Sequence, residues 1–236
     1  MGRLFSFCFE RHKRHWPTGF SRAYLAARSQ AIFLLQVTGS QWEFEMTIDA
    51  SAGYDAIADE FIAIRSTSGR NIVRGWAKSL PSGCSVIDIG AGHGEPLTSA
   101  LIDEGLSVWA IDASPNLVKA FRKRFPKIKV ACDAVEHSTF FDRTFDAALM
   151  VGLIFLLDED RQKAVIDRVA DILAPDGRFL FSAPWQIGCW NDLLTNETSS
   201  SLGAEEYQRM LEQSGFALIA THEDESGTNY FESKRL

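Results

Sequence analysis

The sequence predicts a doubly wound α/β fold, built on a mostly parallel sheet. Three observations predict it. Short apolar runs alternate with amphipathic helical stretches along most of the chain, the order expected when parallel strands are joined by crossover helices. The run Val86-Ile87-Asp88-Ile89 leads into Gly90-Ala91-Gly92-His93-Gly94-Glu95-Pro96, a buried strand feeding a tight turn and then a helix. The chain closes on a helix followed by two strands with no helix between them.

With 236 residues, 46% of them hydrophobic and 23% charged, the chain can bury one sizeable core. A net charge of −7 opposes non-specific attraction to nucleic acid. Cys8, Cys84, Cys132 and Cys189 lie far apart and form no CxxC pair, which suggests neither a metal site nor a disulfide framework and fits a reducing, cytoplasmic setting. The apolar stretches 31–37 and 147–157 fall short of the roughly 20 residues a membrane-spanning helix needs.

Residues 1–45 stand apart as a leader. They carry Arg3, Arg11, Lys13, Arg14, Arg22 and Arg28 against Glu10, Glu43 and Glu45, without a clear period. A transit peptide, a disordered arm, or sequence upstream of a true start at Met46 all fit this composition. The opening Met1-Gly2-Arg3-Leu4-Phe5-Ser6 matches a myristoylation pattern, but with so few fixed positions it reads as chance. Residues 46–236 form the recognisable domain.

Within that domain Ile57, Phe61 and Ile64 recur at helical spacing, which predicts a helix over 54–65. Ile72, Val73, Trp76 and Leu80 predict a second, stopped by Pro81-Ser82-Gly83. In the turn that follows, Gly90, Gly92 and Gly94 admit positive φ and let a ligand approach the backbone. Pro96 suits the first turn of the next helix, whose free amides favour an anionic or polar ligand there. Residues 107–111 make a second strand ending at Asp112, and Ser114-Pro115 caps the helix after it. Asp112 lies about 20 residues past the glycine turn, where a strand-end carboxylate reaches the two hydroxyls of a ribose.

A third strand over 127–132 precedes Asp133-Ala134-Val135-Glu136, and a fourth covers 145–151. Asp158-Glu159-Asp160 opens a helix that ends at Ala174-Pro175-Asp176-Gly177, before a fifth strand over 178–183. Residues 184–203 lack a period and predict a loop over the mouth of the crevice. A helix over 204–213 and strands over 216–221 and 228–233 complete the chain.

The spacing G-x-G-x-G, with Glu95 where a dinucleotide fingerprint needs glycine, resembles the motif of class I S-adenosylmethionine (SAM)-dependent methyltransferases. The Phe145-Asp146 start of the fourth strand, the Pro175-Asp176-Gly177 turn and the closing helix and two strands are similar to that family from about Met46 onward. The resemblance implies a Rossmann-like, seven-stranded sheet with the last strand antiparallel, and SAM as cofactor. It implies that Asp88 orients the methionine part, Arg65 meets its carboxylate, Gly90, Gly92 and Gly94 form the turn, and Asp112 with Ala113 holds the ribose. Either Asp133 or Glu136 would accept from the adenine amino group, Asp133 fitting the strand end better, with Ala134 supporting the ring and Val151 at the next strand tip. Tyr54 resembles the start of a helix folded over the cofactor, and ordinary packing explains it equally well.

A methyltransferase of this kind needs positioning more than covalent help. If the acceptor requires a general base, His93, His137 and His222 are candidates, His222 being best placed to face the crevice from the sixth strand. Phe155, Trp185 and Trp190 suit an apolar or cation-binding acceptor pocket, or plain packing. Enzymes that methylate nucleic-acid amines carry an Asn/Asp-Pro-Pro-Tyr/Phe turn where this chain has Val151-Gly152-Leu153-Ile154-Phe155, so a small-molecule acceptor is expected, with no nucleic acid, membrane or metal. A nicotinamide-dependent oxidoreductase and a non-catalytic SAM-fold partner protein are the rival classes.

Overall fold

The computed structural model describes residues 31–38 and 41–236, with side chains from Asp49 onward. Most of the leader, including the myristoylation-like hexapeptide, lies outside the described residues. Two compact units divide between Asp49 and Ala50.

In the first unit, strands β1 (Ala31–Thr38) and β2 (Gln41–Ile48) pair antiparallel from Ala31↔Ile48 to Thr38↔Gln41. No strand is expected there from the reading above. The period is nonetheless present, since Trp42, Phe44 and Met46 alternate with Gln41, Glu43 and Glu45.

The second unit is the α/β domain. Helices α1 (Ala58–Ile64) and α2 (Arg70–Lys78) precede β3 (Ser85–Ile89), α3 (Leu97–Asp103), β4 (Ser107–Asp112), α4 (Pro115–Arg124) and β5 (Lys129–Cys132). Then come β6 (Phe145–Met150), α5 (Glu159–Ile172), β7 (Leu173–Ser182), β8 (Gly188–Asn191), β9 (Thr198–Ser201), α6 (Ala204–Gln213), β10 (Phe216–Glu223) and β11 (Asn229–Arg235). Seven strands form one sheet in the order β10-β11-β7-β6-β3-β4-β5. Strand β11 runs antiparallel to both of its neighbours, whereas β7, β6, β3, β4 and β5 pair in parallel. The doubly wound sheet with an antiparallel last strand is therefore as expected.

Strand β3 lies at the centre, buried along its whole length because helices cover both faces. Ile87 and Ile89 face a core shared with Val165, Ile166 and Val169 of α5. Val86 faces the opposite core, against Val73 and Trp76 of α2 and Leu101 of α3. Alternation puts Asp88 on this second face, beside α3. Far from the turn, Phe181 stacks on Phe231 at 5.0 Å between ring centres, and Tyr207 meets Phe231 edge-on at 5.6 Å. Residues 174–177 loop out of β7 between the pairs Phe145↔Leu173 and Ala147↔Arg178, with Asp176 at φ 64°, so the predicted turn survives as an excursion within one strand.

Two local readings are corrected. Helix α1 starts at Ala58 instead of Tyr54, because the preceding residues turn to bond elsewhere: the Asp55 carboxylate accepts from Ser114 Oγ and the Asn116 amide. Residues 184–203 contain the antiparallel pair β8–β9 instead of an irregular loop. That pair is held from below by buried Gln162, whose Nε2 donates to the carbonyls of Leu157 at 2.8 Å and Ser200 at 3.1 Å, while its Oε1 accepts from Tyr207 at 2.9 Å. Among the described residues no helix is long and apolar enough to cross a membrane.

Candidate active site

The glycine turn folds back over the tip of β4. The Gly90 and Ala91 amides both donate to the Ile111 carbonyl, at 2.9 and 3.1 Å, and the Gly92 amide donates to Asp112 Oδ2 at 2.7 Å. Gly94 sits at φ 90°, and a Cβ there would lie 2.4 Å from the Phe125 ring, so this turn can pack on α4 only without a side chain. A Cβ on Gly92 would meet only the Phe61 ring, at 3.5 Å.

Asp112 is bracketed by backbone donors, its Oδ1 accepting from the Ser114 amide at 2.8 Å across Ala113. Burial pushes its carboxyl pKa up, and the amides of Ser114 and Gly92 pull the other way. Each oxygen keeps a lone pair for a further donor. The Asp133 amide donates to the Asp112 carbonyl at 3.0 Å, which sets the two strand tips side by side. Asp133 Oδ2 accepts from Ser138 Oγ at 3.2 Å, and the Ala134 carbonyl accepts from the His137 and Ser138 amides. Glu136, the alternative to Asp133, is paired with Arg161 at the start of α5. Half-buried Val151 follows the tip of β6, where Met150 pairs with Ile89.

Asp88 is 2% exposed and accepts from Thr98 Oγ1 at 2.6 Å. Burial raises its pKa to about 7, against the opposing pull of that hydrogen bond; Asp112 adds to the rise and Arg65 opposes it. Arg65 follows α1, half-buried; its amide donates to the Phe61 carbonyl at 3.0 Å, and its guanidinium makes no hydrogen bond or ion pair among the described residues. Burial lowers the pKa of its guanidinium, while Tyr230, Tyr54, Asp224 and Asp88 hold it up. The Tyr54 ring meets Phe61 edge-on at 5.3 Å, Phe61 meets His93 at 6.2 Å, and the Tyr54 hydroxyl donates to Asp192 Oδ2 at 3.1 Å. His93 is buried with its Nδ1 unpartnered, and burial lowers its pKa.

Tyr54, Arg65, Asp88, the three glycines, Asp112 and Asp133 thus gather around the carboxyl ends of β3, β4 and β5. His222 does not join them. Its Nε2 lies 2.7 Å from Glu232 Oε2, and Glu232 also pairs with Arg178, an ion network lying on β7, β11 and β10. Four strand steps of about 4.8 Å separate β10 from β3, roughly 19 Å. His222 thus lies at the end of its strand as expected, but four strands from the glycine turn and engaged with Glu232.

Three residues of the site escape a sequence reading. Thr98 caps the buried Asp88, Asp55 buttresses the start of α4, and Asp224 accepts from the Tyr230 hydroxyl at 2.9 Å. Only Ser114-Pro115 carries a local signal, since its hydroxyl accepts from the Leu117 amide as an N-cap.

The fold is a doubly wound α/β sheet, a class in which ligands bind at the carboxyl ends of the strands. Residues 86–177, from β3 into β7, match the family model of the methyltransferase domain. The chain is 33% identical over 93 residues to an uncharacterized methyltransferase of Mycobacterium tuberculosis, which covers 39% of this chain and 37% of that relative. It is 32% identical over 128 residues to the tRNA (carboxymethyluridine(34)-5-O)-methyltransferase of Xenopus tropicalis, 54% of this chain and 19% of that protein. The chain thus spans well under half the length of these relatives. In fold it is similar to a glycopeptide N-methyltransferase solved with SAM, at a TM-score of 0.59 and 21% identity over 72% of this chain and 95% of that one. The 1,6-didemethyltoxoflavin-N1-methyltransferase of Burkholderia thailandensis gives a TM-score of 0.61 at 16% identity, over 87% and 96%.

Proposed function

We propose that this chain binds SAM across the tips of β3, β4 and β5 and transfers its methyl group to a small-molecule acceptor. The observation that carries the reading is Asp112, oriented by the Gly92 and Ser114 amides with a lone pair left on each oxygen, beside a turn where a side chain is missing. A carboxylate held in that way suits the vicinal hydroxyls of a ribose. Asp133 fits the adenine amino group and the Ala134 amide the ring. At the other end Arg65, a guanidinium without a partner, fits a carboxylate, and Asp88 fits an ammonium group reached directly or through water. Two opposite charges about the glycine turn suit the amino-acid end of SAM better than a pyrophosphate, which disfavours a nicotinamide cofactor.

Bound SAM supplies an electrophilic methyl group and a neutral thioether leaving group. The protein then has to aim a nucleophile and exclude water, effects that proximity makes worth about 7–11 kcal/mol. No general base is assigned, because His222 is engaged elsewhere and His93 is buried.

The acceptor side is drawn from the β8–β9 pair and the tip of β6. Phe155 and Trp190 lie 5.8 Å apart, and Trp185, Ile187, Leu193 and Leu194 expose apolar surface on the same segment. Such a cluster suits a small apolar or aromatic acceptor. The net charge of −7 supports the same choice over RNA, and the lack of an Asn/Asp-Pro-Pro-Tyr/Phe turn after β6 speaks against methylation of nucleic-acid amines. The tRNA methyltransferase relatives make RNA the natural competitor. The test is S-adenosylhomocysteine release on a panel of small aromatic and heterocyclic compounds beside total tRNA. Turnover on tRNA alone would overturn the small-molecule reading, and no binding of S-adenosylhomocysteine would overturn the cofactor reading.

A further inference from the structure

We infer that Gly53-Tyr54-Asp55 is a strap joining the acceptor-side β8–β9 pair to the ribose carboxylate, and that Asp192 acts through it as a positioning residue for methyl transfer. The inference rests on the cofactor reading above. Asp192 opens the connection between β8 and β9, and its two oxygens are divided. Oδ1 accepts from the Leu194 amide at 3.0 Å, the Thr195 amide at 2.9 Å and Thr195 Oγ1 at 3.2 Å, which shapes its own turn. Oδ2 is left for the Tyr54 hydroxyl at 3.1 Å. Gly53 lies close to the same turn, since a Cβ on it would come within 3.0 Å of Thr195 Cβ.

One residue further along, the strap grips the other side of the crevice. Asp55 Oδ1 accepts from Ser114 Oγ at 2.6 Å and from the Asn116 amide at 2.8 Å. Asn116 Nδ2 donates to Asp55 Oδ2 and to the Asp55 carbonyl, both at 3.2 Å. The Ser114 amide is itself the donor that orients Asp112 at 2.8 Å. Three consecutive residues therefore connect the turn that carries the acceptor side to the carboxylate assigned to the cofactor. Between them the Tyr54 ring lies against Phe61, next to Gly92. A ligand that fixes Asp112 and covers Gly92 fixes both neighbours of the strap, and by linkage the β8–β9 pair must then become more ordered.

Hydrogen exchange of the full chain, with and without saturating S-adenosylhomocysteine, tests this. Two variants separate the strap from the fold: Tyr54→Phe keeps the ring and removes the donor, and Asp192→Ser keeps a turn-capping oxygen too short to reach the phenol. In the unaltered chain the ligand is expected to slow exchange over residues 188–201 at least about tenfold, and in both variants less than about twofold once ligand is saturating. Equal slowing in the variants, or none in the unaltered chain with ligand bound, overturns the strap alone. Calorimetry on the same samples reads cofactor binding, and its absence in the unaltered chain overturns the cofactor reading together with the strap.

Discussion

The fold resists the charge of Asp88, which is almost fully buried and whose pKa burial lifts to about 7. A carboxyl raised above its unfolded value stabilises the protein while protonated, in full below about pH 4, and that contribution is lost as pH climbs through 7. The ligand-free protein should therefore lose on the order of 4 kcal/mol from this group between those limits. Asp88→Asn should flatten that part of the stability curve, read by denaturant titration at several pH values; an unchanged slope would sink the assignment. Asp112→Ala should leave the fold intact and weaken S-adenosylhomocysteine binding at least tenfold by calorimetry, about 1.5–3 kcal/mol for lost charged hydrogen bonds. Asp112 was legible in the sequence because its distance from the glycine turn is fixed by one strand and one helix. The choice between Asp133 and Glu136 needed the structure, since Arg161, which takes Glu136, is 25 residues away in the chain. Thr98 and Asp55 gave no signal, as their partners are chosen by packing.

At the scale of elements, Gly94 sets how the turn seats on α4. Gly94→Ala places a methyl group 2.4 Å from Phe125 at a φ that L residues avoid. It should cost about 1–3 kcal/mol, seen as a lowered Tm, and cofactor binding should fall with it. Gln162→Leu removes the donor to Leu157 and Ser200 and the acceptor for Tyr207, all buried or half-buried. A loss of about 2–4 kcal/mol is expected in chemical denaturation, from orphaned polar groups. These elements differ in how well the sequence announces them. The strands of the large sheet are continuous apolar runs, as burial on both faces demands. The β8–β9 pair hides because Thr198–Ser201 is entirely polar and is held by one glutamine on a distant helix. Helix α1 starts late because Asp55 bonds to α4, a tertiary contact that overrides local periodicity.

For the molecule as a whole, the alternation of strands and helices was readable, because parallel strands need crossover connections, whereas the antiparallel close followed from the family resemblance. We propose that the second unit is self-sufficient. Residues 50–236 expressed alone should melt cooperatively and bind S-adenosylhomocysteine within about threefold of the full chain; a polypeptide that fails to fold would show the first unit to be structural. The β8–β9 pair is set between β7 and α6, after the stretch 86–177 that matches the methyltransferase model. On the proposed reading, most of the acceptor surface is thereby written outside the stretch that carries the glycine turn and Asp112. Descendants of such a chain can change diet by rewriting some twenty codons, while the machinery that handles the activated methyl passes down untouched.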